Sequence, residues 1–172
     1  MALLVACLSV SIPAYATPAD EWTEDGGVQQ AGQIVVACLA GVPQLAALDE
    51  RQRCVRRPFE DCVENHGDNT RELGDCVSFA RKAWIKRLEA QGNRLRVVAG
   101  PLAKAFDDTQ ARWRAWSEQD CVLQAAPSEG GTIHSYLLAE CALVHTGSRA
   151  LELEALADEW TEHPPVSRPT VR

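Results

Sequence analysis

Gln110-Ala-Arg-Trp113-Arg-Ala-Trp116-Ser-Glu-Gln-Asp-Cys121, a Gly130-Gly131 turn, and Cys141-Ala-Leu-Val-His-Thr146-Gly-Ser-Arg149 make up the stretch from which the fold is read. A cysteine follows a helical run, a flexible turn follows the cysteine, and a second cysteine lies inside another helical run. This pattern predicts two helices folded back on each other and joined by a disulfide. Such a bond needs an oxidising compartment, and it would make the enclosed loop a rigid surface to present to a partner.

Working outward, the flanking segments are also helical. Gly67-Asp68-Asn69-Thr70 supplies a break and a cap, with Glu72 near the positive end of the helix dipole. Leu73, Val77, Ala80, Trp84, Leu88, Gln91, Leu95 and Val98 then recur at steps of three and four, the period of one buried helical stripe. Gly100 stops this helix and Pro101 opens the next. On that second helix Leu102, Phe106, Thr109, Trp113 and Trp116 form an aromatic face expected to pack on the first. The third begins near Thr132 and runs to about Ala157, with Ile133, Leu137, Cys141, Val144, Leu151 and Ala155 as its stripe. No alternating strand pattern is present. The expected architecture is all-α: an up-down bundle of three long helices, stapled by disulfides, with short helices before it.

Those short helices are expected over residues 28–66, where an Ala, Val and Leu-rich run is interrupted by Gly41, Pro43 and Pro58. The main helical domain is read as 67–157. An acidic segment at 17–27 and a segment at 158–172, containing Pro164, Pro165 and Pro169, are read as flexible tails. Residues 1–16 read as a signal peptide: an apolar run followed by Ala14-Tyr15-Ala16 before Thr17. The expected location is the periplasm or the exterior. Leu4-Val5-Ala6-Cys7 also fits a lipoprotein box, and only lipidation at Cys7 would bring the protein to a membrane.

Seven cysteines are present, six of them beyond the signal segment. They fall as near neighbours, so sequential pairing is expected: Cys38 with Cys54, Cys62 with Cys76, Cys121 with Cys141. Once bonded, these sulfurs are not metal ligands. Cys54 and Cys62 with His66 lack the spacing of a zinc site, and no metal or other cofactor is expected. Cys141 and His145 have one-turn spacing, but the disulfide removes the thiolate, which leaves His145 as a helix residue near Arg149 or Glu152.

Catalysis finds no support. No Gly-x-Ser-x-Gly elbow occurs, no cysteine is expected to be free to act with His66, His134, His145 or His163, and the carboxylate pairs sit on hydrophilic helix faces. A net charge of −7 lacks the basic footprint of nucleic-acid binding and suits a basic partner.

The segment from Cys62 to Leu156 resembles the LprI-type lysozyme inhibitor domain. It carries Gln110-x-x-Trp113, an aromatic residue at Trp116, Cys121, the Gly-Gly turn, Cys141 and Thr146-x-x-Arg149. Ser117 and Glu118 stand where that family commonly has Arg-Asp. The resemblance implies a non-enzymatic protein whose partner is a lysozyme-like glycoside hydrolase, a class that is generally basic. Ser128, Glu129, Gly130, Gly131 and His134 are the candidate contact loop, the alternative being a plain helix connection. Gln110, Trp113, Trp116, Thr146 and Arg149 are read as structural. The rival function is an envelope interaction module that binds another protein or a peptidoglycan fragment without inhibiting anything.

Overall fold

The computed structural model describes residues 24–43, 48–67 and 69–165. The expected signal segment and the lipidation box lie outside them. Five α-helices follow in order: α1 Glu24–Ala40, α2 Leu48–His66, α3 Thr70–Ala99, α4 Ala103–Ala125 and α5 His134–Glu162. Short 3-10 turns at Gly100–Leu102 and Ala126–Ser128 introduce and close α4. No strand occurs among the described residues, and no described helix is long and apolar enough to cross a membrane.

The start of α3 follows the sequence reading. Asn69 adopts an extended conformation and its side chain accepts hydrogen bonds from the backbone N–H groups of Arg71 and Glu72, satisfying donors that have no partner within the helix. At the other end Gly100 takes φ 51°, a conformation that disfavours any side chain.

Three disulfides pair the cysteines sequentially, with Cα separations of 5.7, 5.5 and 5.5 Å for Cys38–Cys54, Cys62–Cys76 and Cys121–Cys141. They link α1 to α2, α2 to α3 and α4 to α5. Such bonds belong to an oxidising compartment.

The segment before α3 is more substantial than the expected short helices. α2 is a single helix of 19 residues that continues through Pro58. Proline removes one helical hydrogen bond and favours a break. Here Pro58 is buried, and the bonded cysteines Cys54 and Cys62 anchor the helix one turn on either side. α1 begins at Glu24, within the expected tail. Its Gly27 lies so close to Phe79 that a Cβ would sit 2.6 Å from the ring. At the far end α5 extends to Glu162, past the expected boundary at residue 157.

One core joins all of this. Val35 of α1 and Val55 and Phe59 of α2 pack with Val77, Ala80 and Trp84 of α3 and with Leu143, Ala150 and Leu151 of α5. Trp84 is fully buried and its indole N–H donates to the Val55 carbonyl at 3.0 Å. A second cluster, Leu95, Phe106, Leu153 and Ala157, closes the opposite end. Between them Glu154 of α5 accepts from Arg51 of α2 at 2.9 Å and from Arg87 of α3 at 3.0 and 2.5 Å, so one carboxylate ties three helices.

Two of the expected stripes are displaced. On α5, Ile133, just before its first residue, Val144 and Ala155 are exposed, whereas Leu143, Thr146, Gly147, Ala150, Leu151, Leu153 and Ala157 are buried. The stripe rule assumes one buried face. α5 has α2, α3 and α4 against different sides, so its buried positions spread around the helix. Trp116 on α4 and Leu102, just before its first residue, are 54% and 40% exposed, and Thr109 is exposed. The buried positions are Phe106, Gln110, Ser117, Cys121 and Ala125. The disulfide turns α4 toward α5, and the polar pair Gln110 and Ser117 takes the inward positions expected of tryptophan.

Candidate functional site

Turning α4 toward α5 opens a groove between α4 and α3. Its volume is about 590 Å³, within the range of small-molecule clefts. Ile85, Leu88, Phe106, Trp113 and Leu153 supply apolar surface, and Arg81, Glu89, Arg114 and Glu118 stand along the walls. Ser117 also lines it, with its hydroxyl donating to the Arg114 carbonyl at 3.0 Å.

The motif residues gather beside the groove. The Gln110 carbonyl oxygen accepts from Arg149 Nε at 3.2 Å, which fixes the orientation of the amide, and Gln110 Nε2 is buried with no acceptor among the described residues. Arg149 also donates to Glu152 at 2.8 Å and lies 5.9 Å from the centre of the Trp113 ring. Thr146 donates to the Ala142 carbonyl at 2.6 Å, the helix-internal bond expected of it. Gln110 and Trp113 of α4 therefore meet Arg149 of α5, whereas Thr146 is bonded within α5 itself. Trp116 sits apart on the exposed side, edge-on to His145 with ring centres 4.9 Å apart.

His145 does not pair with Arg149 or Glu152. Its Nε2 lies 2.8 Å from Oδ2 of Asp120 on α4, and Gln124 donates to the same carboxylate oxygen at 2.7 Å. Asp120 precedes Cys121 and His145 lies one turn after Cys141, so the Asp120–His145 hydrogen bond and the disulfide form one joint between the helices. Adjacent Asp-Cys and Cys-x-x-x-His were legible in the sequence, but their convergence depends on the antiparallel register of α4 and α5.

Beyond this joint lies the predicted loop. Ser128 closes the 3-10 turn, Gly130 takes φ 76°, Gly131 N–H donates to the Ser128 carbonyl at 2.9 Å, and Glu129 points into solvent. The left-handed backbone at Gly130 is where a glycine is needed. His134 is used internally: its Nδ1 donates to the Ala125 carbonyl at 3.1 Å, capping the end of α4. Flanking the turn, Val122, Leu123 and Ile133 are 60%, 72% and 51% exposed, an apolar rim that the sequence reading assigned in part to the core. The groove and the loop are separate, since none of the five loop residues lines the groove.

No curated protein and no solved structure matches the chain. The family described as lysozyme inhibitor LprI matches residues 62–153, from the cysteine that joins α2 to α3 through the core of α5. This span exceeds half of the 172 residues and contains the groove, the α4–α5 joint and the loop, so the chain belongs to the lysozyme inhibitor LprI family.

Proposed function

We propose that this protein is a stoichiometric inhibitor of a lysozyme-like muramidase and acts by occluding the enzyme's cleft without turnover. The observation that carries the reading is the coincidence of the family match with a disulfide-locked α4–α5 hairpin that exposes Glu129 in its connection and Val122, Leu123 and Ile133 in the segments leading into and out of it. Apolar side chains exposed around one turn suit a protein interface, and a fixed loop loses little conformational freedom on docking. Glu129 and the net charge of −7 favour a basic partner and speed its approach. In this arrangement Ser128, Gly130 and Gly131 shape the tip, Glu129 meets the enzyme, and His134 holds the loop to α4. An oxidising site outside the cytoplasm suits both the three disulfides and the target.

The test is the rate of cell-wall lysis by a panel of lysozymes as the oxidised protein is added. Inhibition should saturate near one-to-one, weaken with salt and weaken further with Glu129→Lys or Leu123→Asp. A protein with all three disulfides that slows no lysozyme would remove the reading. The second reading, an envelope module that binds a cell-wall fragment, is favoured by the groove between α3 and α4, and it predicts a salt-tolerant fragment complex unaffected by Glu129→Lys.

A further inference from the structure

Cys121, Cys141 and His145 bring two sulfurs and an imidazole nitrogen within 4.8 Å of one another, the one such group among the described residues. The sulfurs are bonded to each other, so in the oxidised protein they offer no thiolate. The surroundings nevertheless have the features of a metal centre. The imidazole is held by Asp120 at 2.8 Å, and Asp120 is held by Gln124 at 2.7 Å, the outer carboxylate arrangement that orients a ligating histidine. Space is available on both sides of the bond. The groove reaches Cys121 and His145, and a second hollow of about 310 Å³ is lined by Cys141, Val144, His145 and Gln124. The sulfurs therefore have room to move apart, and neither Cys121, which is buried, nor Cys141, which is half-buried, is a member of the two core clusters.

We propose that the Cys121–Cys141 bond is a redox-gated metal site: reduced, it binds a thiophilic divalent cation of the zinc type through Cys121, Cys141 and His145, with Asp120 as the positioning residue. The chemistry is thiol–disulfide exchange followed by metal binding. A dithiol attacks one sulfur, the mixed disulfide resolves, and the reductant leaves as its own disulfide. Two electrons and two protons pass to the protein as two thiols. The cation then displaces both protons to solvent and is held by two thiolates and a neutral imidazole, with its fourth position open to water. Metal–sulfur and metal–nitrogen bonds of about 2.3 and 2.0 Å fit ligand atoms already gathered this closely. Two thiolates with an imidazole select such a cation over magnesium or calcium. The cation would re-clamp α4 to α5 where reduction had cut the covalent staple. Neither step depends on inhibition of a lysozyme.

The test uses the full chain. The oxidised protein and protein treated with a phosphine reductant are titrated anaerobically with Co²⁺, followed by displacement with Zn²⁺. The reduced protein should show thiolate-to-cobalt charge transfer and tetrahedral ligand-field bands at one equivalent, and the oxidised protein should show neither. His145→Gln should weaken binding at least roughly tenfold, and Asp120→Asn by a similar factor or less, with the oxidised fold of both variants unchanged by circular dichroism. A second readout does not depend on the reduced chain staying fully folded. With Zn²⁺ present, mass mapping should show that alkylation slows at Cys121 and Cys141 and not at Cys38, Cys54, Cys62 or Cys76. Equal protection of all six cysteines, or a reduced His145→Gln variant that binds Co²⁺ as tightly as the parent, would overturn the proposal.

Discussion

Gly147→Ala tests whether α5 and α2 are in contact as closely as the core requires. An added Cβ would sit 2.4 Å from Cγ1 of Val55, 3.0 Å from its Cγ2 and 3.1 Å from its Cβ. Val55 is only 2% exposed and branched at Cβ, so it has no free rotamer to retreat into. Nor can α2 shift easily, because the Val55 carbonyl accepts the Trp84 indole N–H and Cys54, one residue earlier, is bonded to α1. Overpacking a tight core costs about 1–3 kcal/mol, and a contact this short belongs at the upper end. Replacing glycine by alanine inside a helix recovers about 1 kcal/mol. The net loss should be about 2 kcal/mol, a fall in Tm on the order of 4–8 °C. The measurement is thermal and urea unfolding of the oxidised protein, with Val55→Ala and the double variant completing a cycle. Relief of the clash should make the double variant more stable than the two single losses added together. A Gly147→Ala protein as stable as the parent would refute the close approach of α2 and α5.

Glu154→Gln should cost about 2–4 kcal/mol in urea unfolding, because Arg51, with its side chain 9% exposed, and Arg87 would lose their shared counter-charge; unchanged stability would count against the three-helix tie. The two tryptophans should separate: Trp84→Ala should lose about 3–5 kcal/mol, whereas Trp116→Ala, giving up one edge-on contact with His145, should lose no more than about 1 kcal/mol. Tyr136 ties stability to alkaline pH. Burial, followed by the neighbouring Glu140 carboxylate, holds its phenol above the ordinary tyrosine range. The folded state therefore keeps its proton more tightly than the unfolded chain. This contribution is full below the unfolded pKa of about 10 and is lost as pH rises through the higher folded value, so urea midpoints should fall across that window. Tyr136→Phe should flatten the fall, and an unchanged slope would contradict the sign.

What the sequence determined by itself is what short-range physics controls. Asn69 with the following N–H groups, Gly100 at the break and the three-and-four spacing from Val77 to Leu95 depend on neighbours within two turns, and α3 formed accordingly. The disulfide pairs were legible because each loop is short and its cysteines lie on helices that the intervening turns fold together. The motif joining Gln110 and Trp113 to Thr146 and Arg149 marked the family before any contact was known. Tertiary structure alone decided which way α4 and α5 face. The period of a helix fixes which residues share a side, but the partners fix which side is inward, and α5 has partners on three. That rotation placed Trp116 in solvent, Gln110 and Ser117 inside, and opened the groove. It also brought Asp120 to His145 across 25 residues of chain. Pro58 inside α2 has the same origin: local preference favours a break there, and two covalent anchors with a buried face outweigh it.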